Sequence, residues 1–407
     1  MEINWKKNTA LFLTGQALTL FGSMIVQYAI IWHITLKTQS GSMMTLFTVA
    51  GFLPMFFISP FAGIWADRFN RKYIINIADG AIALVSLIVA IFIMLGFESF
   101  GILLVCAVVR SLGQGVQSPA VGAFIPQIVP VEHLTKVNGL QSSIQSFITI
   151  SSPMASGALM AFAPLELLFF LDLITAAIGI SVLFFFVKTP MLEKPEPAEG
   201  QKEIEYFHDL KEGIKYINKQ GYILRLIVFS GIFMFFASPS ALLTPLQVTR
   251  NFGNDVWRLT AIEMTFSIGM MAGGILIGAW GGFKNRIFTI TFACVIFGIG
   301  TFALGVVHNF WIYIGIMAII GVAMPLYNTP TMVLLQSTVD PVYMGRVLSV
   351  FMMISSVMMP IGMLFFGPLA DKVSIDILLI GTGIVMALLG IPFVASKTLR
   401  EAGRSPA

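Results

Sequence analysis

Charged residues, histidine and cysteine are all scarce in this sequence. Charged residues make up 11% of its 407 residues, whereas about a quarter is usual in soluble domains. With 4 histidines and 2 cysteines, there is little material for a metal cluster, and the sequence contains no phosphate-binding loop and no HExxH motif. Cys106 and Cys294 lie in separate apolar runs, so no disulfide framework is indicated. We therefore expect no cofactor, no metal, no enzymatic activity and no direct use of ATP.

Apolar residues dominate instead, at 57% of the chain and a mean hydropathy of +0.88. A spanning helix needs about 20 mostly apolar residues. Stretches of that kind predict an all-α membrane protein with about twelve transmembrane helices. They lie at residues 9–36, 43–65, 73–95, 100–121, 138–162, 165–187, 223–247, 259–280, 286–307, 310–333, 346–368 and 375–395. The first stretch lacks a clear cleavage site, so it is predicted to be a spanning helix and not a signal peptide.

The distribution of basic residues predicts the orientation. With the amino terminus inside, most of the 24 Lys and Arg residues fall in cytoplasmic segments, and the external loops contain only Lys37, Arg250, Arg258 and Lys372. This asymmetry follows the positive-inside rule. We expect a monomer in the bacterial inner membrane, surrounded by lipid, with both termini cytoplasmic. The net charge of +4 is then a signal of topology and does not indicate nucleic-acid binding.

A hydrophilic stretch divides the chain near its middle. It predicts two six-helix bundles, at 1–187 and 222–407, joined by a cytoplasmic linker at 188–221. Within the linker, apolar residues recur at helical spacing, at Ile204, Phe207, Leu210, Ile214 and Ile217. This pattern predicts an amphipathic helix on the membrane surface. A simple tether is the expected role, and a regulatory latch is the alternative.

The two bundles share two sequence echoes. Four residues of one loop recur 215 positions later, in the pairs Gly63 and Gly278, Trp65 and Trp280, Asn70 and Asn285, and Arg71 and Arg286. Pro119, Pro130 and Val131 recur 211 positions later as Pro330, Pro341 and Val342. Such repeats predict halves related by a pseudo-twofold axis along the membrane normal, with a substrate site between them near the midplane.

The loop sequence GIWADRFNRK carries a family resemblance. It resembles the signature loop of the major facilitator superfamily through Gly63, Asp67, Arg68, Arg71 and Lys72. Asn70 occupies a position where many members have Gly. The resemblance implies a gate on the cytoplasmic side, in which Asp67 contacts the start of the eleventh helix near Gly345 and Arg346. Gly63 permits close packing, and a carboxylate is favourable beside a helix amino terminus.

Longer segments resemble the macrolide-efflux proteins of the drug:proton antiporter branch. They are FLPMFFISPFAGIWADRFNRK, VRSLGQGVQSPA, LTKVNGLQSSIQSF and IEMTFSIGMMAGG. The likeness implies a secondary active transporter that exports small amphipathic drugs, above all macrolides, by proton antiport and alternating access. Export of tetracycline or a siderophore, and lysophospholipid flipping by the same fold, are the alternatives. Sodium coupling is also left open.

Ionisable residues inside predicted spans are candidates for proton coupling, because a charge at the bilayer centre costs at least about 2.5–3.5 kcal/mol. Arg110 lies near the middle of the fourth span, and the family resemblance links an arginine there to proton transfer. Asp172 is the preferred carboxylate because it shares the same half as Arg110. Glu263 could serve the same role or bind a cationic amine, and contact with water or helix ends is the alternative for both. For Asp79, a structural role is preferred.

Two weaker patterns complete the candidates. Ser152, Pro153 and Gly157 of the segment SSPMASG resemble the packing motif of antiporters, which implies a tightly packed, bent fifth helix. Polar residues on apolar helices are candidates for binding the substrate or a neighbouring helix, at Gln27, Gln145, Asn328 and Gln336.

Overall fold

The computed structural model describes residues 4–189, 206–341 and 343–404, without the side chains of Asp67 and residues 206–210. Over these ranges the chain forms fifteen α-helices and no β-strand. The first half contains α1 (Trp5–Thr38), α2 (Gly41–Arg68), α3 (Arg71–Met94), α4 (Phe100–Ile128), α5 (Leu134–Phe162) and α6 (Leu165–Ser181). A 3₁₀ turn at Val131–His133 precedes α5, and a π-helical turn at Val182–Phe186 extends α6.

The second half begins with the linker helix. Its elements are α7 (Tyr206–Lys219), α8 (Gly221–Leu242), α9 (Thr244–Phe252), α10 (Val256–Trp280), α11 (Arg286–Val306), α12 (Phe310–Thr338), α13 (Met344–Leu369), α14 (Ile375–Ala395) and α15 (Lys397–Ala402). The predicted seventh span, 223–247, corresponds to α8 and α9, which are separated by a break at Leu243.

Eleven helical stretches in the described chain are long and apolar enough to cross a membrane. The expectation of an all-α, multi-pass membrane protein is therefore confirmed. The predicted fifth span corresponds to α5, which is not among the eleven. Its 29 residues would cover about 43 Å, but they include many Ser, Thr, Asn and Gln residues, which lower its hydropathy. Several helices extend beyond their predicted ends. For example, α4 continues through Pro119 and Pro126 to Ile128, since surrounding helices satisfy the backbone groups that proline frees in a membrane helix.

The described residues form two compact units. The first contains residues 4–38, 46–189 and 255–260, and the second contains residues 39–45, 206–254 and 261–404. Apolar side chains from α1, α3 and α4, including Phe12, Ile75 and Phe124, form a buried cluster in the first unit. In the second unit the backbones of α11 and α14 lie in close contact at Gly298 and Gly383. A side chain on either glycine would overlap the facing helix.

The repeated asparagines have the same local role. Asn70 caps α3 by accepting a hydrogen bond from the Lys72 amide at 3.0 Å, and Asn285 caps α11 by accepting one from the Ile287 amide at 3.0 Å. Asparagine is among the best residues for this position, since its side chain satisfies an amide that the helix leaves unpaired. N-capping therefore explains why the same residue stands at both positions of the echo.

The predicted linker helix is present as α7, although Ile204 lies outside the described residues. Ile217 is buried, whereas Ile214 is 42% exposed. Gly213 packs against Arg346, and the ring of Tyr216 stacks on that of Tyr343 at 4.4 Å. In the structure α7 packs against α8 and the start of α13, and its predicted position on the membrane surface stays a prediction.

Candidate functional site

Four helices of the first unit bring polar side chains to one buried point. Arg110 of α4 is 1% exposed and Asp172 of α6 is fully buried. Ser23 of α1 and Ser86 of α3 lie beside them and are also buried. The structure thus places Arg110 in contact with the carboxylate that the sequence favours as its partner.

Hydrogen bonds connect every member of this cluster. Arg110 Nη1 donates to a carboxylate oxygen of Asp172 and, at 2.8 Å, to Ser86 Oγ. Arg110 Nη2 donates to the Ser23 carbonyl oxygen at 2.8 Å. Asp172 accepts further hydrogen bonds from Ser86 Oγ at 2.8 Å and from Ser23 Oγ at 3.1 Å. Both carboxylate oxygens of Asp172 are therefore satisfied.

Arg110 and Asp172 each depend on the other for the stabilisation of a buried charge. Removing either partner from a buried pair leaves an uncompensated charge, which costs about 3–5 kcal/mol. The arginine still has one unsatisfied atom, since Nε has no hydrogen-bond partner among the described residues.

A second polar cluster lies on three of these four helices, α1, α3 and α4. Gln117 Nε2 donates to Asp79 Oδ1 at 2.6 Å and lies 3.2 Å from Gln16 Oε1. Asp79 is 1% exposed, and its Oδ2 has no hydrogen-bond partner in the part of the chain that the structure describes. Asp79 is therefore the less satisfied of the two buried aspartates.

A cavity of about 460 Å³ adjoins this second cluster within the first unit. Its wall combines apolar residues such as Phe12, Met24 and Met55 with five glutamines, which are Gln16, Gln114, Gln117, Gln141 and Gln145. Amides both donate and accept hydrogen bonds. A largely apolar wall with a few convergent polar groups is typical of a small-molecule site.

The candidate substrate residues have different surroundings. Gln145 lines the cavity. Gln27 is half-buried on α1 and lies near Gly51 of α2. Asn328 and Gln336 are exposed on α12 in the second unit. Sequence reasoning missed four of the glutamines on the cavity wall, at Gln16, Gln114, Gln117 and Gln141.

Glu263 and the Arg110 cluster belong to different units of the chain. Glu263 is half-buried on α10. Of the three proton-coupling candidates, Arg110 and Asp172 are in contact within the first unit, and Glu263 is a residue of the second.

Comparison with known proteins identifies the family. The sequence profile of the Major Facilitator Superfamily matches residues 12–363. The chain belongs to the Major Facilitator Superfamily. The resemblance carried by the signature loop is confirmed, and the protein is a membrane transporter of small molecules and not an enzyme.

The relatives include macrolide efflux proteins. The chain is similar to Macrolide efflux protein A of Streptococcus pyogenes, with 30% identity over 396 residues that cover 96% of each chain. It is 29% identical to Macrolide efflux protein A of Enterococcus faecalis, over 79% of this chain and 100% of that protein. Among solved structures, a bacterial homologue of the human lysosomal transporter Spinster has a TM-score of 0.69 at 16% identity, covering 99% of this chain and 100% of that one.

The superfamily's signature loop joins α2 to α3. Arg71 Nε donates to the Ala66 carbonyl oxygen at 2.9 Å, and Lys72 Nζ donates to the Val187 carbonyl oxygen at 2.8 Å. Both cations thus bind carbonyl groups at the ends of helical segments, where positive charge is favourable. Arg68 is exposed and Gly63 is half-buried. The side chain of Asp67 lies outside the described residues. Its expected contact with the start of α13, the eleventh of the predicted spanning helices, therefore stays a prediction.

The packing motif on α5 faces α1 and the start of α10 within the first unit. Ser152, Pro153 and Gly157 are buried. Ser156 Oγ donates to the Ile25 carbonyl oxygen at 3.0 Å. A Cβ on Gly157 would overlap the hydroxyl of Thr260. The small residue at position 157 therefore allows a close helix contact.

A third aspartate lies in a loop predicted to be external. Asp371 accepts hydrogen bonds from the Gly41 amide at 2.6 Å, the Ser42 amide at 2.8 Å and Ser40 Oγ at 3.0 Å. Arg250 Nη2 lies 3.2 Å from Asp371 Oδ1. Partial burial opposes ionisation, but the hydrogen bonds from Ser42, Gly41 and Ser40 outweigh it and lower the pKa of Asp371. These residues all belong to the second unit, which includes the first turn of α2.

Proposed function

We propose that this transporter exports bulky amphipathic drugs of the macrolide type in exchange for protons. The similarity to Macrolide efflux protein A along 96% of both chains is the observation that carries the proposal. The proposed location of the protein is a bacterial inner membrane, with both termini in the cytoplasm. Two six-helix halves would alternate between inward and outward access, as their repeated sequences favour.

The buried pair supports the proton-coupled part of the proposal. Asp172 would take up a proton in one access state and release it in the other, while Arg110 keeps its hydrogen bonds to Ser86 and the Ser23 carbonyl. A proton on Asp172 removes the charge attraction that holds Arg110. Because these groups come from α1, α3, α4 and α6, proton binding would alter how those four helices pack. Glu263 is a second proposed coupling residue.

The cavity supports the substrate part of the proposal. Gln145 and the other glutamines would form hydrogen bonds with the polar groups of a drug, and the apolar wall would bind its rings. Gln27, Asn328 and Gln336 are further proposed contacts.

Two structural motifs would support the transport cycle. We propose a cytoplasmic gate formed by the signature loop, with the members Gly63, Asp67, Arg68, Arg71 and Lys72. Tight packing around Ser152, Pro153 and Gly157 would limit leakage of ions beside α5.

Drug susceptibility and accumulation test this proposal. The protein is expressed in a susceptible bacterium that lacks its own efflux pumps, and resistance is measured for macrolides, tetracyclines and a lysophospholipid. Accumulation of labelled macrolide is then measured with a protonophore, a sodium ionophore or neither. Expression should raise macrolide resistance and lower accumulation, and the protonophore should remove both effects.

Variants at equal membrane abundance complete the test. Asp172→Asn should abolish export. Asp255→Asn is the matched control, because Asp255 is an exposed residue that pairs with Arg258, three positions along the chain. Unchanged macrolide accumulation on expression would refute the substrate, and sensitivity to the sodium ionophore alone would refute proton coupling.

A further inference from the structure

Three helices of the first unit carry polar residues at a matched spacing. In each helix two polar side chains lie seven positions apart, which places them on nearly the same face and about 10.5 Å apart along the axis. The pairs are Gln16 and Ser23 on α1, Asp79 and Ser86 on α3, and Arg110 and Gln117 on α4. The hydrogen bonds described above join the residues within each level. The first unit therefore contains two stacked polar layers, an Arg110 layer and an Asp79 layer.

The two layers differ in their charge balance. In the Arg110 layer, arginine and Asp172 neutralise each other. In the Asp79 layer, the carboxylate receives one hydrogen bond from Gln117, its Oδ2 receives none, and no described basic residue forms an ion pair with it. A buried carboxylate is stable as an anion only with a compensating partner. The Asp79 layer therefore has room in its bonding for one further cation or proton.

The surroundings of Asp79 do not supply that cation. The titratable groups on the helices packed against α3 are Arg110 and Cys106 of α4 and Glu166 and Asp172 of α6, and all four belong to or lie beyond the Arg110 layer. The adjoining π-helical turn Val182–Phe186 has none. On α1, which supplies Gln16, the titratable side chains lie away from this layer, at Lys6, Lys7, Tyr28, His33 and Lys37. Among the described residues of these helices, no basic side chain lies in the Asp79 layer, so a ligand or a proton from outside is the candidate source of the charge.

The cavity provides the route for such a group. Gln16 and Gln117 belong both to the hydrogen-bond network of Asp79 and to the cavity wall. None of the residues on that wall is charged. A ligand in the cavity would thus meet an uncharged, mainly apolar surface, on which Gln117 is hydrogen-bonded to the buried carboxylate of Asp79.

We propose that Asp79, Gln16 and Gln117 form a binding site for the protonated tertiary amine of the exported substrate. This inference rests on the proposed drug export. The amine N–H donates to Asp79 Oδ2, the amides of Gln16 and Gln117 orient the carboxylate, and the apolar wall binds the hydrophobic body of the ligand. A proton that neutralises Asp79 in the empty site leaves as the carboxylate pairs with the cation, so the net charge of the site is unchanged.

The experiment measures binding to the purified full-length protein in lipid nanodiscs. The probes are a labelled 14-membered macrolide with a dimethylamino sugar and the N-oxide of the same macrolide, which carries no net charge near neutral pH. Affinity is measured between about pH 5.5 and 7.5, where the amine stays protonated. The macrolide should bind more tightly as the pH rises, by up to about tenfold per pH unit, the limit for one released proton. The N-oxide should bind with little dependence on pH.

The Asp79→Asn variant tests the site itself. It should bind the macrolide at least about tenfold more weakly, a factor that corresponds to one charge-assisted hydrogen bond. It should also lose the pH dependence and the preference for the amine over the N-oxide. Asp255→Asn, an exposed aspartate far along the chain from the cavity residues, should leave all three properties unchanged.

Proton release by the wild-type protein gives a second test that needs no variant. In weakly buffered solution with a pH-sensitive dye, the macrolide should release protons on binding and the N-oxide should not. If the wild type exports and binds the macrolide but Asp79→Asn keeps the pH dependence, this site is refuted and the export function stands. If the wild type binds without pH dependence or proton release, the site is refuted as well. If the wild type neither exports nor binds macrolide, the export proposal and this inference both fail.

Discussion

Asp79 and Asp172 are both fully enclosed by the helices of the first unit, but their partners differ. Asp172 binds an arginine and two serine hydroxyls, and both of its oxygens are satisfied. Asp79 binds one glutamine, and one of its oxygens has no partner among the described residues. Helices α1, α3 and α4 supply most of these groups in both layers.

The difference separates two uses of a buried carboxylate in a membrane protein. A carboxylate that is fully paired stabilises one helix arrangement for as long as it is charged, because its loss leaves the opposite charge without a partner. A carboxylate with an open oxygen beside a cavity contributes less to stability and can bind a ligand. Buried ionisable groups in membrane segments are in general associated with function. In the two layers, the number of hydrogen-bond partners distinguishes a carboxylate that stabilises the fold from one that can bind a ligand.

Breaking the Arg110 layer should have the largest effect. Asp172→Asn leaves Arg110 buried without its carboxylate, so the free energy of unfolding should fall by about 3–5 kcal/mol. Asp79→Asn should cost far less, because no cation is left behind. Thermal unfolding of both variants, followed by size-exclusion chromatography, measures the difference.

A double variant separates stability from transport. Arg110→Met with Asp172→Leu removes both charges together, and such replacements often restore stability. It should unfold at a higher temperature than Asp172→Asn yet show no drug export. Recovery of export in the double variant would contradict the role proposed for the pair. Equal losses of stability in Asp79→Asn and Asp172→Asn would remove the contrast between the layers.

The two serines of the Arg110 layer should differ in a smaller way. Ser86 Oγ accepts a hydrogen bond from Arg110 and donates one to Asp172, whereas Ser23 Oγ only donates to Asp172. Arg110 contacts Ser23 through the backbone carbonyl, which an alanine retains. Since hydrogen bonds to charged groups contribute about 1.5–3 kcal/mol, Ser86→Ala should destabilise the protein more than Ser23→Ala. Chemical or thermal unfolding of the two variants provides the measurement, and the reverse order would contradict the described bonding.

Much of this arrangement is accessible from sequence, for identifiable reasons. The spans follow from the length of apolar runs, and the family follows from Gly63 to Lys72. The contact between Arg110 and Asp172 is predictable because a deeply buried arginine requires an anion and few carboxylates share its half. Hydropathy is a local property of the sequence, and the pairing of a deeply buried charge is strongly constrained. Spans and buried ion pairs can therefore be predicted without knowledge of the packing.

The Asp79 layer is harder to predict. Glutamine is a common polar residue, and neither Gln16 nor Gln117 has a motif around it. Their meeting with Asp79 depends on the vertical register of three helices, which hydropathy does not determine. The seven-residue spacing relative to Ser23, Ser86 and Arg110 is a signal in retrospect, but it has meaning only once these helices are known to be neighbours. The packing of α7 through Gly213 and Ile217 is likewise a tertiary property.

The spacing between the layers offers a further test. Ile82 of α3 and Gly113 of α4 lie between them in sequence, and a Cβ on Gly113 would be 2.6 Å from Ile82 Cγ1. Gly113→Ala should therefore push α3 and α4 apart at a cost of about 1–3 kcal/mol. Gly80→Ala, where a Cβ meets no atom within 4 Å, is the control and should be neutral or slightly stabilising. The unfolding temperatures of the two variants decide, and a neutral Gly113→Ala would show that the layers tolerate displacement.

The smallest effect is expected at the partly exposed Asp371, which shows what an aspartate contributes outside the membrane. Its pKa lies below the ordinary value because hydrogen bonds from Ser42, Gly41 and Ser40 outweigh the effect of burial. A lowered pKa stabilises the folded state above the ordinary aspartate pKa of about 4, and this contribution is lost as the pH falls through the folded-state value. Asp371→Asn should therefore lower the unfolding temperature slightly at pH 7, with a cost below about 1 kcal/mol because solvent screens the site. The difference from wild type should vanish under acidic conditions. A difference that persisted at low pH would mean that the amide disrupts the loop geometry itself, and the carboxylate charge would then not be the source of the stabilisation.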